Sequence, residues 1–490
     1  MKKKLLEEIE KLHKNNNHEK IIQIIYSINE NERDYHIISL LARALNNIHN
    51  YDEALNNLMY IREEAIDDPL WYFRTGYAYY YNENKETAKP YLKKTLELLE
   101  KQNIENNELS EDAERLYKLC FEDEDNNIPF TERVDMFWKW FDENENEISK
   151  MIENQDNELI NFIHNGIKII SDNISFNINK NYEFIFTIDG KNYLFYLIPR
   201  IISAMPEKFY EKWTFLPCIP SSNGNDFSIQ INNSNINISD ILIKIEFDEE
   251  NDKFDLIFYN DELRGLDTEE AYNIFLLMME NSIGEVLSKV YIRYVDISDR
   301  KLKNMIPLTE LEKYINKTLI FYRKELVTEP IDQYFSYTFE PKDIELPRYD
   351  IITGTTSYYE TINDYYNSIV DDIVAVSQCG ARTIFLTYSY EDNNDNEIKR
   401  EILNERYEIQ YRLEKEVLVE KESGECIGIV LGGAMGIYNI YIDLIVYNEK
   451  EFIKRAKLLL AEYDRNFYIS KLRKYADVRN IFDYYTDEKI

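Results

Sequence analysis

The sequence predicts an α+β multidomain protein in which N-terminal α-helical hairpin repeats are followed by two α+β regions with mostly antiparallel sheets. Three observations lead to this prediction. Residues 35–68 and 69–102 match each other at an offset of 34 residues. Strand-like apolar runs begin near residue 181 and then alternate with helix-like segments. The 490-residue chain also exceeds what one hydrophobic core normally organises.

Changes in composition along the chain divide it into three predicted domains. A helical repeat domain spans 1–122, an α+β domain spans 129–300, and a C-terminal α+β domain spans 307–490. The acidic run "EDEDNN" and Pro129 mark the first boundary. A proline-bearing stretch with Pro330, Pro341 and Pro347 separates the last part of the chain.

The two repeats each consist of a pair of predicted helices around a polar turn. The aligned pairs are Ala42 with Gly76, Leu45 with Tyr79, Ala54 with Ala88, and Leu58 with Leu92. The small residues in the first and third pairs let two antiparallel helices approach closely, because a larger side chain would push them apart.

This pattern resembles that of tetratricopeptide-repeat proteins, whose period is about 34 residues. The second unit supplies Tyr72, Gly76, Tyr79, Ala88 and Leu92 at the family's spacings, and the first supplies Ile38, Ala42, Leu45, Ala54 and Leu58. The upstream segment "KKLLEEIEKLHKNNNHEKIIQIIYSINENE" is predicted to be a degenerate earlier unit, with Lys20 where the family has a small residue. The segment "LSEDAERLYKLCF" is predicted to be a closing helix. The resemblance covers about the first quarter of the chain.

An aromatic stripe follows from the helical period of the second unit. Phe73, Tyr77 and Tyr80 share one face that the unit's own core does not use. The resemblance implies that this face lines a concave groove for peptides or helices, with matching positions one unit earlier. The predicted partner-binding residues are His36, Ser39, Arg43, Asn46, Phe73, Tyr77 and Tyr80. The alternative is that the stripe packs against another domain of the same chain.

Beyond Pro129, "RVDMFWKWFDENENEISKMI" predicts a helix with Phe137, Trp138 and Phe141 in a core. The stretch "NYEFIFTIDGKNYLFYLIP" has two apolar runs around Asp189-Gly190, which predicts a β-hairpin. Further strands are predicted at "DILIKIEF", "KFDLIFYN", "ARTIFLTYSYE", "CIGIVLGG" and "IYNIYIDLIVYN". Helices are predicted at "TEEAYNIFLLMMENSIGEVLSKV", "YYETINDYYNSIVDDIVAVSQ", "NEIKREILNERYEIQYRLEKEV" and "EKEFIKRAKLLLAEYD".

The segment "GECIGIVLGGAMGIYN" holds five of the chain's 13 glycines. It lacks the G-x-G-x-x-G spacing and the G-K-[ST] ending, which favours a tight hairpin or bulge between buried strands. The alternative is a loop whose backbone N–H groups hold a phosphate. The residues of this possible ligand loop are Gly432, Gly433, Gly436, Asn439 and Asp443.

The charge of the chain restricts its partners. With 91 Asp and Glu against 57 Lys and Arg, the formal net charge is -34. This charge repels phosphate backbones and anionic lipids, so we expect a protein partner, with a basic surface favoured, and neither nucleic acid nor membrane. The alternative is an acidic surface that only maintains solubility. No membrane helix or signal-peptide core is recognisable, and the four cysteines lie far apart, so a cytoplasmic protein with reduced thiols is expected.

No catalytic residue, metal ligand or cofactor is predicted. All five histidines lie within the first 164 residues, which excludes a histidine-based triad or zinc hydrolase built wholly from the later regions. The leading hypothesis is a non-enzymatic protein–protein interaction protein, an adapter, scaffold or partner-neutralising factor, that uses the groove and the acidic α+β body. The alternative is an enzyme or small-ligand sensor that uses the glycine-rich segment 424–436.

Overall fold

The computed structural model describes residues 2–82, 84–103, 107–121, 128–231, 234–342, 346–390, 396–419, 424–474 and 476–483. The chain forms two compact units. Unit 1 comprises residues 1–126 and 364–378, and unit 2 comprises residues 127–363 and 379–490. The predicted fold class is confirmed, because N-terminal helices are followed by sheets that are mostly antiparallel. The predicted boundary at 300–307 falls inside unit 2.

The α-helices are numbered in chain order. They are α1 Lys2–Lys14, α2 His18–Tyr26, α3 Tyr35–Asn47, α4 Tyr51–Tyr60, α5 Pro69–Tyr81, α6 Lys85–Lys101, α7 Asn107–Leu119, α8 Phe130–Glu153, α9 Leu159–Ile167, α10 Leu194–Ser203, α11 Thr268–Ile283, α12 Glu285–Tyr291, α13 Leu311–Phe321, α14 Tyr359–Asn367, α15 Asp371–Gln378, α16 Asn396–Arg412 and α17 Glu449–Leu460. A π-helical turn, Leu413–Val417, continues α16.

The strands are numbered in the same way. They are β1 Ser175–Ile178, β2 Glu183–Thr187, β3 Thr214–Leu216, β4 Ser228–Ile231, β5 Ser234–Asn237, β6 Leu242–Asp248, β7 Lys253–Tyr259, β8 Ile292–Ile297, β9 Ile306–Pro307, β10 Phe335–Thr338, β11 Ile351–Thr356, β12 Arg382–Ser389, β13 Gly428–Gly436, β14 Asn439–Val446, β15 Phe467–Lys471 and β16 Arg479–Asn480.

Unit 1 is a series of packed helix pairs. Each helix from α1 to α6 packs against the next one in the chain, an arrangement compatible with helical repeats. Ala42, Ala54 and Ala88 have no exposed surface. A Cβ atom at Gly76 would lie 2.7 Å from Cγ of Leu92. The small residues of the repeat pattern therefore lie where neighbouring helices leave no room for a larger side chain.

The largest sheet belongs to unit 2 and has the strand order β10-β11-β13-β14-β12-β15-β16, with every neighbouring pair antiparallel. Leu386 of β12 and Ile442 of β14 are opposite each other. Both belong to a buried apolar cluster that also contains Ile402 of α16 and Phe452 of α17. The two helices therefore cover the central strands on one face of this sheet.

Unit 2 contains three smaller sheets, with the orders β1-β2-β3, β4-β5 and β8-β7-β6-β9. The helix predicted to anchor a core is α8, in which Phe137 and Phe141 have no exposed surface. Two helices predicted as continuous are interrupted where the backbone turns left-handed. Gly284 lies between α11 and α12 at φ +82°, and Ser368 lies between α14 and α15 at φ +60°.

The hairpin predicted at Asp189-Gly190 is wrong. The chain does turn there, with φ +48° and +73°, but the second apolar run forms α10. All five residues of 194–198 are buried, and a short run buried on every side suits a helix as well as a strand. The Tyr196 hydroxyl donates a hydrogen bond to the Ser357 carbonyl at 2.7 Å, and β2 pairs instead with β1 and β3.

In the part of the chain that the structure describes, no helix combines the length and the apolar content that crossing a bilayer requires.

Candidate functional site

A groove of about 850 Å³ lies in unit 1 among α1, α3, α5, α6 and α7. Its lining combines apolar side chains with polar and charged ones. The lining residues are Leu6, Glu10, Tyr35, His36, Ser39, Leu40, Arg43, Asp67, Asp68, Pro69, Leu70, Arg74, Leu99, Gln102 and Leu109. A concave surface of this size and mixed chemistry is typical of a binding site.

Three of the predicted partner-binding residues line this groove, namely His36, Ser39 and Arg43. They lie together because all three belong to α3, at positions separated by three and four residues. His36 is exposed and Arg43 is half-buried. The Arg43 guanidinium pairs with the Glu10 carboxylate of α1 at 2.8 Å, so the first helix contributes to the same wall.

A fourth predicted residue, Asn46, joins two of the helices that line the groove. Its side chain is buried, and its Nδ2 donates a hydrogen bond to the Arg74 carbonyl at 3.0 Å. Asn46 is not among the described lining residues. It therefore holds α5 against α3, because the bond joins a side chain of one helix to the backbone of the other.

Sequence reasoning missed Arg74, Tyr35 and Asp68, which also line the groove. Arg74 Nη1 donates a hydrogen bond to the Ser39 hydroxyl. Burial, and then the nearby charge of Arg43, lower the pKa of Arg74 to about 10. The Tyr35 hydroxyl donates to the Asp68 carboxylate, and burial raises the pKa of Tyr35.

The sequence does contain a signal for Asp68, because an aspartate recurs at the repeat period. Asp34 and Asp68 lie 34 residues apart, one repeat period, and each caps the N-terminus of the helix that follows it. Asp68 Oδ1 accepts a hydrogen bond from the Leu70 amide at 2.9 Å. The aspartate before the first helix of each repeat therefore caps that helix, and in the second repeat it also lines the groove.

The aromatic stripe lies elsewhere in unit 1. Phe73 and Tyr77 are half-buried, with ring centroids 6.0 Å apart, and Tyr80 is 8% exposed. None of the three is among the described residues that line the groove. Whether they bind a partner stays a prediction.

A segment from later in the chain packs against the aromatic stripe. Tyr80 belongs to an apolar cluster that contains Leu116 of α7 together with Val370 and Val374. Residues 364–378, which include both valines, belong to unit 1. The Asp371 carboxylate of this segment pairs with the Lys118 ammonium of α7 at 2.5 Å. Part of the aromatic surface is therefore covered by the chain's own residues.

The glycine-rich segment forms β13, which pairs with β14 as two neighbouring strands of a hairpin. The register shifts between Val430 and Gly432, and Gly432 has φ +146°. A Cβ atom at Gly432 would lie 2.1 Å from the Thr355 carbonyl oxygen, and one at Gly436 would lie 2.2 Å from Oδ2 of Asp350. These two glycines therefore allow the close approach of neighbouring groups.

The two polar residues of the possible ligand loop have partners within unit 2. Asp443 is fully buried and pairs with the guanidinium of Arg348, with Nη2 and Oδ2 3.1 Å apart. The backbone N–H of Asn439 donates a hydrogen bond to Oδ2 of Asp350 at 3.0 Å. At Gly433, a Cβ atom would lie 2.4 Å from the Tyr441 carbonyl oxygen and 2.5 Å from Nη1 of Arg406. Whether this segment holds a ligand stays a prediction.

Among the described residues, no group of three or more His, Cys, Asp or Glu side chains is placed to hold a metal ion. In comparisons with protein-family models, curated proteins and solved structures, no match to this chain was found.

Proposed function

We propose that this chain is a protein–protein interaction protein, and that the groove of unit 1 binds a segment of a partner protein. The observation that carries the proposal is the meeting of His36, Ser39 and Arg43 in one groove of about 850 Å³. The tetratricopeptide resemblance belongs to the same proposal, since a concave groove for peptides is what that resemblance implies.

The lining suits a segment with both apolar and polar side chains. Five leucines and Pro69 offer apolar surface for anchoring side chains. The guanidiniums of Arg43 and Arg74 belong to the same lining and supply directed donors for the carbonyl groups of a bound peptide. A mixture of apolar anchors and a few directed polar groups is how grooves combine affinity with specificity.

Charge favours a basic residue in the bound segment. Three carboxylates line the groove, those of Glu10, Asp67 and Asp68, against the two guanidiniums. The whole chain carries a formal net charge of -34. Opposite charges across an interface raise association rates and select partners. The partner segment we propose therefore combines apolar side chains with lysine or arginine.

Selection from a displayed library of random peptides on the full chain tests the proposal. Selected peptides are expected to bind the wild type and to lose at least about tenfold in affinity with His36→Trp, because a large ring at an exposed lining position fills the groove. Tyr60→Trp is the matched control, since Tyr60 is an 81% exposed aromatic residue of α4 that does not line the groove. Equal binding by the wild type and His36→Trp would contradict the proposal.

The same peptides test the charge preference separately. Affinity measured at rising salt concentration is expected to fall, because mobile ions screen exposed charges. Enrichment of lysine and arginine among the selected peptides is expected as well. Salt-insensitive binding of uncharged peptides in the groove would retain the interaction function and refute only the basic character of the partner.

A further inference from the structure

Arg406 is a buried cation on the inward face of α16. It lies four residues after Ile402 and three before Ile409, both of which belong to the apolar cluster beneath the helix. Its side chain is 3% exposed. Its Nε and Nη1 atoms are buried without a hydrogen-bond partner. The third nitrogen, Nη2, is not among these occluded atoms, so the guanidinium reaches the surface at that end.

The other buried arginines of unit 2 that the structure describes have partners. Arg348 pairs with Asp443, Arg200 Nε donates to the Cys426 carbonyl at 2.8 Å, and Arg133 Nη1 donates to the Ile170 carbonyl at 3.1 Å. A buried charge without a partner destabilises a fold, because it loses its hydration and gains nothing in return. Arg406 is the exception, since among the described residues two of its buried nitrogens have no hydrogen-bond partner and its cation is met only by the ring of Tyr407.

The sheet next to Arg406 presents a row of hydroxyl groups. Thr355 of β11 lies opposite Gly433, and Ser336 of β10 lies opposite Thr355. Opposite residues of antiparallel strands point to the same face, so these hydroxyls lie on the face on which Arg406 sits above Gly433. Thr353 and Thr338 form the next such pair. We name Ser336, Thr338, Thr353 and Thr355 the hydroxyl strip.

The hydroxyl strip is open to solvent, whereas the neighbouring strands are covered. Thr355 is half-buried and the other three residues are exposed. Gly433 carries no side chain, and a Cβ there would lie 2.4 Å from the Tyr441 carbonyl oxygen and 2.5 Å from Nη1 of Arg406, so the glycine makes room for both groups. Cζ of Arg406 lies over the Tyr407 ring, 4.3 Å from its centroid, which is a cation–π contact.

We propose that Arg406 and the hydroxyl strip bind an oxyanion, the phosphate or carboxylate group of a small ligand. A guanidinium presents parallel N–H donors that match the oxygens of either group. The hydroxyls of Ser336, Thr338 and Thr355 add donors beside it, whereas the Thr353 hydroxyl already donates to the Tyr337 carbonyl at 3.3 Å. The site lies in unit 2 and is independent of the peptide-binding function proposed for unit 1.

Titration of the full chain with inorganic phosphate, and separately with acetate, tests the proposal at an ionic strength kept constant with chloride. The thermal unfolding midpoint is measured for each anion, together with the ³¹P line width of phosphate. A saturable rise in the midpoint is expected for the wild type and for Arg400→Gln, an exposed arginine of the same helix. The rise is expected to be absent in Arg406→Met.

The two anions distinguish the sources of the oxyanion. An effect of phosphate alone assigns a phosphate ligand, an effect of acetate alone assigns a carboxylate ligand, and effects of both assign an unselective oxyanion site. Phosphate also stabilises proteins by exclusion from their surface, but that effect does not saturate and is shared by all variants. No saturable effect in the wild type, or the same saturable effect in Arg406→Met, overturns the proposal.

Stability in chloride alone distinguishes a ligand-binding arginine from a structural one. Arg406→Met is expected to melt at the same temperature as the wild type or higher, because an apolar side chain of similar length replaces an unpaired buried charge. A lower midpoint together with an unchanged phosphate effect overturns the proposal. If Arg406→Met does not fold, Thr355→Val is used to test the proposal, because this substitution removes one hydroxyl at nearly constant side-chain shape. Its phosphate affinity is expected to fall about tenfold, and an unchanged affinity overturns the proposal.

Discussion

Gly76→Ala tests whether the helices of the second repeat are in direct contact through this glycine. An added Cβ would lie 2.7 Å from Cγ of Leu92, 2.9 Å from its Cδ2 and 3.2 Å from its backbone nitrogen. The first two atoms belong to a fully buried side chain, and the third can move only if α6 moves. The substitution therefore forces either a rotamer change in a packed core or a shift between α5 and α6.

Two opposing effects set the magnitude. Alanine in a helix interior is favoured over glycine by about 1 kcal/mol. Inserting a methyl group into a well-packed core costs about 1–3 kcal/mol. Because both side-chain and backbone atoms of Leu92 lie closer than contact distance, the cost exceeds the gain. We expect a net loss of about 1–2 kcal/mol in the free energy of unfolding.

Urea unfolding followed by circular dichroism at 222 nm measures this loss. Leu92→Ala alone is expected to cost about 3 kcal/mol, because it leaves a cavity. In that background Gly76→Ala loses its clash with the side chain and becomes neutral or stabilising, which gives a coupling of about 2 kcal/mol between the sites. Gly265→Ala is the control, since a Cβ there meets nothing within 4 Å.

A gain in stability from Gly76→Ala that is equal in the wild type and in the Leu92→Ala background would refute this reasoning. That result would mean that α5 and α6 do not touch at Gly76, and that the small residue is only a local feature of the helix.

Three further predictions concern buried groups. Tyr80→Ala should cost about 3 kcal/mol in urea unfolding, because the ring belongs to an apolar cluster. Asp443→Asn should cost about 3–5 kcal/mol, or prevent folding, because it removes the carboxylate that neutralises the buried charge of Arg348. Burial and the nearby carboxylate of Glu285 raise the pKa of Glu280 to about 7, so the folded state binds the extra proton and stability falls as pH rises from about 4.5 to 7. Glu280→Gln is therefore expected to be more stable than the wild type by about 1 kcal/mol at pH 8, a figure reduced for solvent screening, and equally stable at pH 5. Unfolding measured at both pH values tests this expectation.

The helix pairs of unit 1 were predictable because the contacts that define them recur at a fixed spacing. Ala42 and Gly76 occupy equivalent positions one repeat apart, and each packs where a neighbouring helix comes close. The strand pair β13–β14 was predictable from the glycines and apolar residues around a short turn. The wrong hairpin shows the limit of such patterns, since a run buried on every side has no periodicity that separates helix from strand.

The groove was predictable only in part. His36, Ser39 and Arg43 were found because they share one face of a single helix, which the helical period specifies. Arg74 was missed because the aromatic residues beside it gave a stronger pattern, although the guanidinium and not the rings turns toward the groove. Val370 and Val374 were not predictable as neighbours of Tyr80, because no local rule brings together segments so far apart in sequence.

Arg406 is a charged residue in apolar surroundings, and this mismatch becomes recognisable once the fold is known. The inward face of α16 is apolar at Ile402 and Ile409, and the facing strands are apolar at Ile442 and Leu386. Methionine or leucine at position 406 would satisfy this pattern at lower cost than a buried arginine with two nitrogens that make no hydrogen bond. Sequences depart from the pattern of their own core mainly where a function requires it. Gly433 is a second unfavourable choice, because a glycine inside a buried strand weakens the strand. A Cβ there would meet the Tyr441 carbonyl oxygen at 2.4 Å and Nη1 of Arg406 at 2.5 Å. A buried guanidinium with two unbonded nitrogens, beside a strand glycine and a row of hydroxyls of which three are exposed, is what we expect of an oxyanion site in unit 2.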